Sequence, residues 1–297
     1  MNGMAQSRAN HNLLKQLNSA LIMDRLLADA PLSRANLAQQ TGLNRSTISS
    51  LVGNLIGRNL IREVGLEEAD SRGRPGMLLE LNPGGGSVVG IEINVDYISL
   101  ILTDFTAHTL WQRHVQFEEG KPQADVLRMA EALIDEALRA GVAYHLTPLG
   151  IGLGLPGLVD TEAGTLVFAP NLKWRDVSFR ERWAPRFGVP LYVENDGNCS
   201  AMGEYYFGVA KEHDHFLFIG TGVGLTSGLM LNGEIYRGAG GYAGEIGHII
   251  VESGGELCSC GRRGCWETLV APRAVVRAAV HALENGAPSC LPEMVGG

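Results

Sequence analysis

The 297-residue chain lacks any apolar run of the roughly 18 residues that a membrane helix needs. Its start, Met1 to Leu14, is polar and holds no apolar leader core. Both absences point to a cytoplasmic protein without membrane contact. Positive charge is also short: 24 Lys/Arg face 32 Asp/Glu, a formal net charge of −8, which argues against wholesale nucleic-acid coating. With 45% apolar residues, 19% charged residues and 39 glycines, the composition suits a turn-rich globular α/β protein and not a disordered chain. Cysteines number five; Cys199 and Cys290 stand alone, while Cys258, Cys260 and Cys265 lie within eight positions. In a reducing compartment such a cluster reads as metal ligation before disulfides.

What charge there is falls unevenly. Residues 1–82 hold nine Lys/Arg against seven Asp/Glu, so the acidic excess lies entirely beyond them. Any DNA contact is therefore expected in the first eighty residues. There, Leu13, Leu14, Leu17, Leu21, Ile22 and Leu26 recur at helical spacing, predicting one amphipathic helix that ends near Asp29–Pro31. Ser33 is placed to cap a short helix broken at Thr41-Gly42-Leu43, and Asn44 to cap the next. In that last helix Ile48, Leu51, Val52, Leu55 and Ile56 form the inner stripe. Arg45, Ser46, Thr47, Ser49 and Ser50 then occupy its outward N-terminal end, the end with which a recognition helix meets bases. A small capped helix with a polar outer face fits this pattern equally well. Two short strands, Ile61 to Val64 and Met77 to Leu81, tip the balance because they flank a polar hairpin tip, Gly65 to Gly76. Arg72 and Arg74 in that tip are able to approach a DNA backbone or minor groove, completing a winged helix-turn-helix. Asn82-Pro83-Gly84-Gly85-Gly86 reads as a flexible linker. The expected division is residues 1–82, a linker at 83–87, and a second unit at 88–297.

The second unit opens with three strands, then an amphipathic helix bearing Val126, Met129, Leu133, Ile134, Ala137 and Leu138, then a strand at Leu149 to Leu153. Gly152 to Gly157 follows as a glycine-rich turn, a weak signal alone. A strand at Leu191 to Glu194 presents Asn195-Asp196-Gly197-Asn198 at its carboxyl end, where open α/β sheets bind ligands. Asp196 as a plain helix cap remains an equal reading. Gly220-Thr221-Gly222-Val223-Gly224 has the backbone density of a turn that cradles phosphate or a sugar edge. The strongest chemical signal is His248 with Cys258, Cys260 and Cys265. One imidazole and three thiolates make a closed tetrahedral zinc shell, which predicts a structural Zn2+.

Three segments together resemble the ROK family of bacterial repressors, open reading frames and sugar kinases: Gly154-Leu155-Pro156-Gly157, Glu194-Asn195-Asp196-Gly197-Asn198, and Glu245-Ile246-Gly247-His248 with the cysteine knuckle ending Cys265-Trp266-Glu267. The resemblance implies an α/β fold with an N-terminal winged helix-turn-helix followed by an actin-like, ribonuclease-H-like domain. It also implies a sugar site of Asn171, Asn195, Asp196, Glu245, His248 and Glu267, and adds Arg34, within Ser33-Arg34-Ala35, to the DNA-contacting set. The N-terminal segment and Asn171-Leu172-Lys173-Trp174-Arg175-Asp176 look most like the family's xylose-responsive repressors.

Two departures shape the expected function. The kinases open their first strand with an Asp-x-Gly-Gly-Thr-like phosphate loop, whereas this chain reads Gly90-Ile91-Glu92-Ile93-Asn94-Val95-Asp96; a non-enzyme is expected, with Asp196, the kinases' base position, left as a sugar ligand. Family members also continue past the helix Pro272 to Asn285, so an incomplete second lobe is expected here. The leading expectation is a homodimeric, sugar-responsive repressor bound to palindromic operator DNA and released by a monosaccharide, xylose first and glucose or another aldose next. The alternatives are a sugar kinase with an appended DNA-binding head and a repressor whose sensor does not respond.

Overall fold

A computed structural model describes residues 2–67 and 76–290, which leaves Arg72 and Arg74 outside the described residues. Among those described, no helix is long and apolar enough to cross a membrane. The first helix, α1 (Asn2–Asp29), begins earlier than the apolar periodicity suggests. Only part of the expected stripe is covered: Ile22 and Leu26 are buried, while Leu13, Leu14 and Leu17 are each more than half exposed. Those three leucines lie on a stretch of α1 that runs past the small core it serves. Periodicity identifies the face but not how far its partner extends.

That core collects Ile22, Leu26, Leu37, Ile48, Leu51, Val52, Leu55 and Leu79 from α1, α2 (Arg34–Thr41), α3 (Arg45–Gly57) and a hairpin of β2 (Ile61–Leu66) and β3 (Met77–Leu81). Strand β1 (Leu32–Ser33) joins the open edge of β3, giving the order β1-β3-β2. Helix α2 starts where the Ser33 hydroxyl accepts the Asn36 N–H at 3.3 Å, and stops at Gly42 with φ +70°. Helix α3 starts where Asn44 Oδ1 accepts the Thr47 N–H at 2.8 Å. Both caps satisfy N–H groups that the first turn of a helix leaves unpaired.

The segment after β3 differs from the flexible linker expected of its glycines. Pro83–Gly85 form a 3-10 turn in which Asn82 Oδ1 accepts the Gly84 N–H at 3.1 Å. Asn82 Nδ2 donates to the Asn59 carbonyl at 2.9 Å, and Asn59 Nδ2 donates to that of Gly84 at 3.1 Å. Two asparagines thus hold in place a backbone that glycine alone would leave free.

Beyond it, β4 (Ser87–Ile93), β5 (Tyr97–Asp104) and β6 (Thr109–Gln116) form an antiparallel meander, and β7 (Pro148–Leu155) and β11 (Leu191–Asn195) extend it in parallel, giving the order β11-β7-β4-β5-β6. Helix α4 (Gln123–Ala143) lays Val126, Ala130, Leu133, Ile134 and Ala137 into the sheet's core. A second antiparallel sheet, β8 (Leu158–Asp160), β9 (Thr165–Ala169) and β10 (Trp174–Ser178), leads to α5 (Phe179–Phe187). Glu131 of α4 accepts the Trp183 Nε1 of α5 at 3.0 Å and Arg182 Nε at 2.7 Å, which ties the two helices together.

Helix α6 (Asp196–Phe207) crosses to a further sheet of β12 (Phe216–Thr221), β13 (Leu225–Leu231) and β14 (Glu234–Ile235). It packs on β13 without an intervening side chain. A Cβ on Gly197 would lie 2.3 Å from the Ser227 carbonyl oxygen, so only glycine permits this approach. The chain closes with a 3-10 turn at Ile246–His248, the cysteine knuckle, α7 (Glu267–Val270) and α8 (Pro272–Glu284).

Candidate functional site

Strands β7 and β11 run parallel and end together, so Gly157 and Asn195 are neighbours: Asn195 Nδ2 donates to the Gly157 carbonyl at 3.0 Å. Asn195 is also the cap of α6, accepting the Asn198 N–H at 3.1 Å, so capping falls to the residue before Asp196. Asp196 is left free for another task. Its Oδ1 accepts the Gly197 N–H at 2.8 Å and the Thr226 hydroxyl at 3.0 Å, and its second oxygen has no such partner among the described residues. Burial, reinforced by Glu92 and Glu245, pushes its carboxyl up to about 6, against the pull of those two hydrogen bonds.

Glu194, one strand position before Asn195, stabilises this corner. Its Oε1 accepts the Asn198 side-chain amide at 2.9 Å and its Oε2 accepts Arg237 Nη2 at 2.5 Å. The cavity in front has a volume of about 310 Å³. Asn171, Asn195, Asp196, Glu245, His248 and Glu267 all line it, so the chain brings together six residues spread over ninety-seven positions. The Gly220 to Gly224 turn forms part of the same wall. Burial raises the Glu245 carboxyl as well, with His248 opposing and Glu267 adding to the rise.

Among the lining residues that escape sequence reasoning are Glu92, Asn94, Tyr97 and Thr226. A signal for Glu92 is present in the alternation of β4, where it is the half-buried position between the core residues Ile91 and Ile93. The Tyr97 hydroxyl donates to Glu92 Oε1 at 2.5 Å and Asn94 Nδ2 donates to the same oxygen at 3.1 Å.

At one end of the cavity His248, Cys258, Cys260 and Cys265 place their donor atoms within 4.8 Å of one another. A tetrahedral metal with bonds of about 2.3 Å to sulfur and about 2.0–2.1 Å to nitrogen sets donor–donor edges of about 3.8 Å for S–S and about 3.6 Å for S–N. The Cys260 and Cys265 sulfurs are 3.7 Å apart, and Cys258 Sγ lies 3.5 Å from His248 Nδ1. The cluster therefore fits a metal ion. The knuckle closes because Gly264 adopts φ +73° at a point where any Cβ would meet the Glu252 carbonyl. Glu267 joins this cluster to the cavity: its Oε1 lies 2.7 Å from Cys258 Sγ and 3.4 Å from His248 Nδ1.

The other candidate residues lie on the N-terminal unit. Arg45, Ser46, Ser49 and Ser50 are exposed at the start of α3 and Thr47 is half-buried, so the five share one accessible helix end. A small recess there is lined by Ser33, Arg34, Arg45, Ser49 and Met77. Arg34 is not free: its guanidinium bonds Glu63 of β2 at 3.0 Å.

A mixed α/β sheet thus carries a polar, carboxylate-rich cavity with a His/Cys knuckle able to hold a metal at one end. The chain belongs to the ROK family, whose model matches residues 88–293. It is 35% identical over 272 residues to a xylose repressor of Bacillus subtilis, covering 91% of this chain and 69% of that protein. A xylose repressor of Caldicellulosiruptor bescii is 33% identical over 277 residues, covering 93% and 69%. The DNA-binding transcriptional dual regulator NagC of Escherichia coli is 30% identical over 293 residues, covering 98% and 71%. Among solved structures, a ROK family transcriptional regulator described as a homologue of the E. coli MLC protein aligns with a TM-score of 0.79 at 29% identity, over 94% of this chain and 70% of that one. A ROK family glucokinase from Streptomyces griseus, in complex with glucose and AMPPNP, aligns with a TM-score of 0.59 at 33% identity, over 68% and 62%.

Proposed function

We propose that this protein is a sugar-responsive transcriptional repressor that binds operator DNA as a homodimer and releases it on taking up a monosaccharide, xylose first and glucose or another aldose next. The observation that carries the reading is the convergence of Asn171, Asn195, Asp196, Glu245, His248 and Glu267 on one cavity in a chain with repressor relatives along more than nine-tenths of its length. Carboxylate and amide groups supply the acceptors and donors that vicinal hydroxyls require.

On this reading residues 1–82 are a winged helix-turn-helix. The N-terminal end of α3 enters the major groove, with Arg45, Ser46, Thr47, Ser49 and Ser50 as contacts, and the β2–β3 hairpin is the wing that carries Arg72 and Arg74. Arg34 would contact DNA only on leaving Glu63. Residues 83–87 join this head to the sensing unit, 88–297, in a cytoplasmic protein. Zn2+ is the ion we assign to the knuckle, since three thiolates and one imidazole complete its shell and leave no open position for catalysis. When bound, zinc would neutralise the thiolates; His248 and Glu267 hold the ion's end of the cavity in place for the sugar.

A kinase reading draws on one observation, the carboxyl of Asp196 near 6, which suits a general base. Against it stands the turn after β4, where Asn94 and Val95 replace the glycines that would let a nucleotide phosphate approach the backbone. Coupling from sugar to DNA has a path in α6. Its first turn lines the cavity, and at its last turn burial and the nearby Asp24 carboxylate of α1 push the Tyr206 hydroxyl up.

A gel shift on the intergenic region upstream of the gene, with a monosaccharide panel, tests the proposal. Retardation that a sugar abolishes is expected, and indifference to the whole panel refutes sugar sensing. An ADP-release assay with hexoses and pentoses tests the kinase reading.

A further inference from the structure

The cavity wall contains Glu92, Asp196, Glu245 and Glu267, and among the described residues no lysine or arginine lines it. Arg237, which pairs with Glu194 behind Asn195, is absent from the lining. The charge on Glu92 is held in one place: its Oε1 accepts both the Tyr97 hydroxyl at 2.5 Å and Asn94 Nδ2 at 3.1 Å. Asn94 Nδ2 also bonds the Tyr97 oxygen at 3.2 Å, and Asn94 Oδ1 takes the Val95 N–H at 2.9 Å, so the asparagine itself cannot swing away. These three side chains build a fixed, anionic wall out of the turn between β4 and β5.

We propose that Glu92, held by Tyr97 and Asn94, restricts the cavity to uncharged sugars and excludes phosphate esters and nucleotides. The inference rests on this cavity being the effector site and names the charge class of the effector. A phosphate monoester carries about −1.5 to −2 charge at neutral pH and needs cationic donors in compensation. Here it meets carboxylates instead. The Gly220 to Gly224 turn belongs to the same wall, and Glu92 sets a full negative charge against any partial positive charge its backbone offers. That its charge reaches across the cavity is seen at Asp196, where Glu92 adds to the upward push on the carboxyl. A like charge about 6 Å from Glu92 at an effective dielectric of about 20 weakens binding by about 100-fold.

The experiment is isothermal titration calorimetry and operator release with the purified chain, comparing xylose and glucose with α-xylose 1-phosphate and glucose 6-phosphate, with and without magnesium. Wild-type protein is expected to bind a neutral sugar on the order of 100-fold more tightly than its phosphate ester. Glu92→Gln keeps the hydrogen bonds but loses the charge, and is expected to narrow that ratio at least tenfold. Glu92→Asp keeps the charge and is expected to retain the discrimination, which separates charge from loss of folding. Equal wild-type affinity for sugar and ester, or a ratio that Glu92→Gln leaves unchanged, overturns the inference, while release by neutral sugar would still uphold sensing. Failure of every ligand to bind wild-type protein refutes both.

Discussion

Substituting Asp196 by asparagine is expected to make the protein more stable and less responsive. Its carboxyl lies near 6, well above the ordinary aspartate value of 3.8, with burial the largest cause. A raised carboxyl pKa means that the folded state disfavours the ion. The neutral form carries no penalty below about pH 4; the penalty grows as pH rises towards 6 and is constant above that. At pH 7.5 it amounts to about 3 kcal/mol, since each tenfold change in proton affinity is worth about 1.4 kcal/mol. In Asp196→Asn the side-chain amide oxygen would still accept the Gly197 N–H and the Thr226 hydroxyl, so the variant loses the charge without orphaning either donor. Chemical denaturation of the two proteins between pH 5 and 8 should show Asp196→Asn ahead by about 1–3 kcal/mol at pH 7.5 and by about half that at pH 5. Calorimetry should show sugar affinity falling by about tenfold or more, because hydroxyls that donate to a carboxylate meet a weaker neutral acceptor. A variant less stable at pH 7.5, or equally stabilised at every pH, would falsify the idea that this carboxylate is kept for its ligand at a cost in stability.

Removing the knuckle's metal with a strong chelator should lower the melting temperature and the sugar affinity together, and restoring Zn2+ should recover both; unchanged affinity after verified metal loss would detach the knuckle from the cavity. Arg45→Ala should weaken operator binding by about 1–3 kcal/mol in fluorescence anisotropy and leave sugar affinity unchanged. Tyr206→Ala, at the far end of α6, should keep sugar and operator binding near wild type but raise several-fold the sugar concentration needed for release. Release that matches wild type would dismiss α6 as the route.

How much of this is legible in the sequence varies with the kind of signal. The caps Ser33 and Asn44 are readable because a short polar residue before a helix has one local job, and the structure gives it that job. Cys258, Cys260, Cys265 and His248 are readable as a cluster because thiols so spaced along a glycine-containing turn can be brought to one point, and the four donor atoms do lie within 4.8 Å of one another. The exposed Leu13, Leu14 and Leu17 mislead, since helical periodicity cannot say where the neighbouring core ends. Asn82 to Gly86 looks loose because the bonds that fix it come partly from Asn59, more than twenty positions away. Glu92, Asn94 and Tyr97 are easily passed over for a different reason. Their segment stands out for the glycines it lacks, and an absent motif draws attention away from the side chains that stand in its place.

The placement of Asp196 connects the costly carboxylate to the proposed switch. A ligand shifts a conformational equilibrium only by binding two states with different affinity. On the proposed function, a buried carboxylate with an oxygen lacking a hydrogen-bond partner among the described residues would supply such a difference, because sugar hydroxyls that reach it would offset part of a penalty of about 3 kcal/mol and a state that keeps them away would not. Asp196 is the first residue of α6, and Gly197 beside it meets the backbone of β13 with no room for a side chain. A shift at this corner is therefore felt at once by β13, which lies against the helix backbone here. The opposite end of the same helix carries Tyr206, whose hydroxyl feels the charge of Asp24 on the helix that contributes Ile22 and Leu26 to the core of the N-terminal unit. On the proposed switch, one helix of twelve residues thus carries the costly carboxylate at its start and the side chain nearest the N-terminal unit's Asp24 charge at its end.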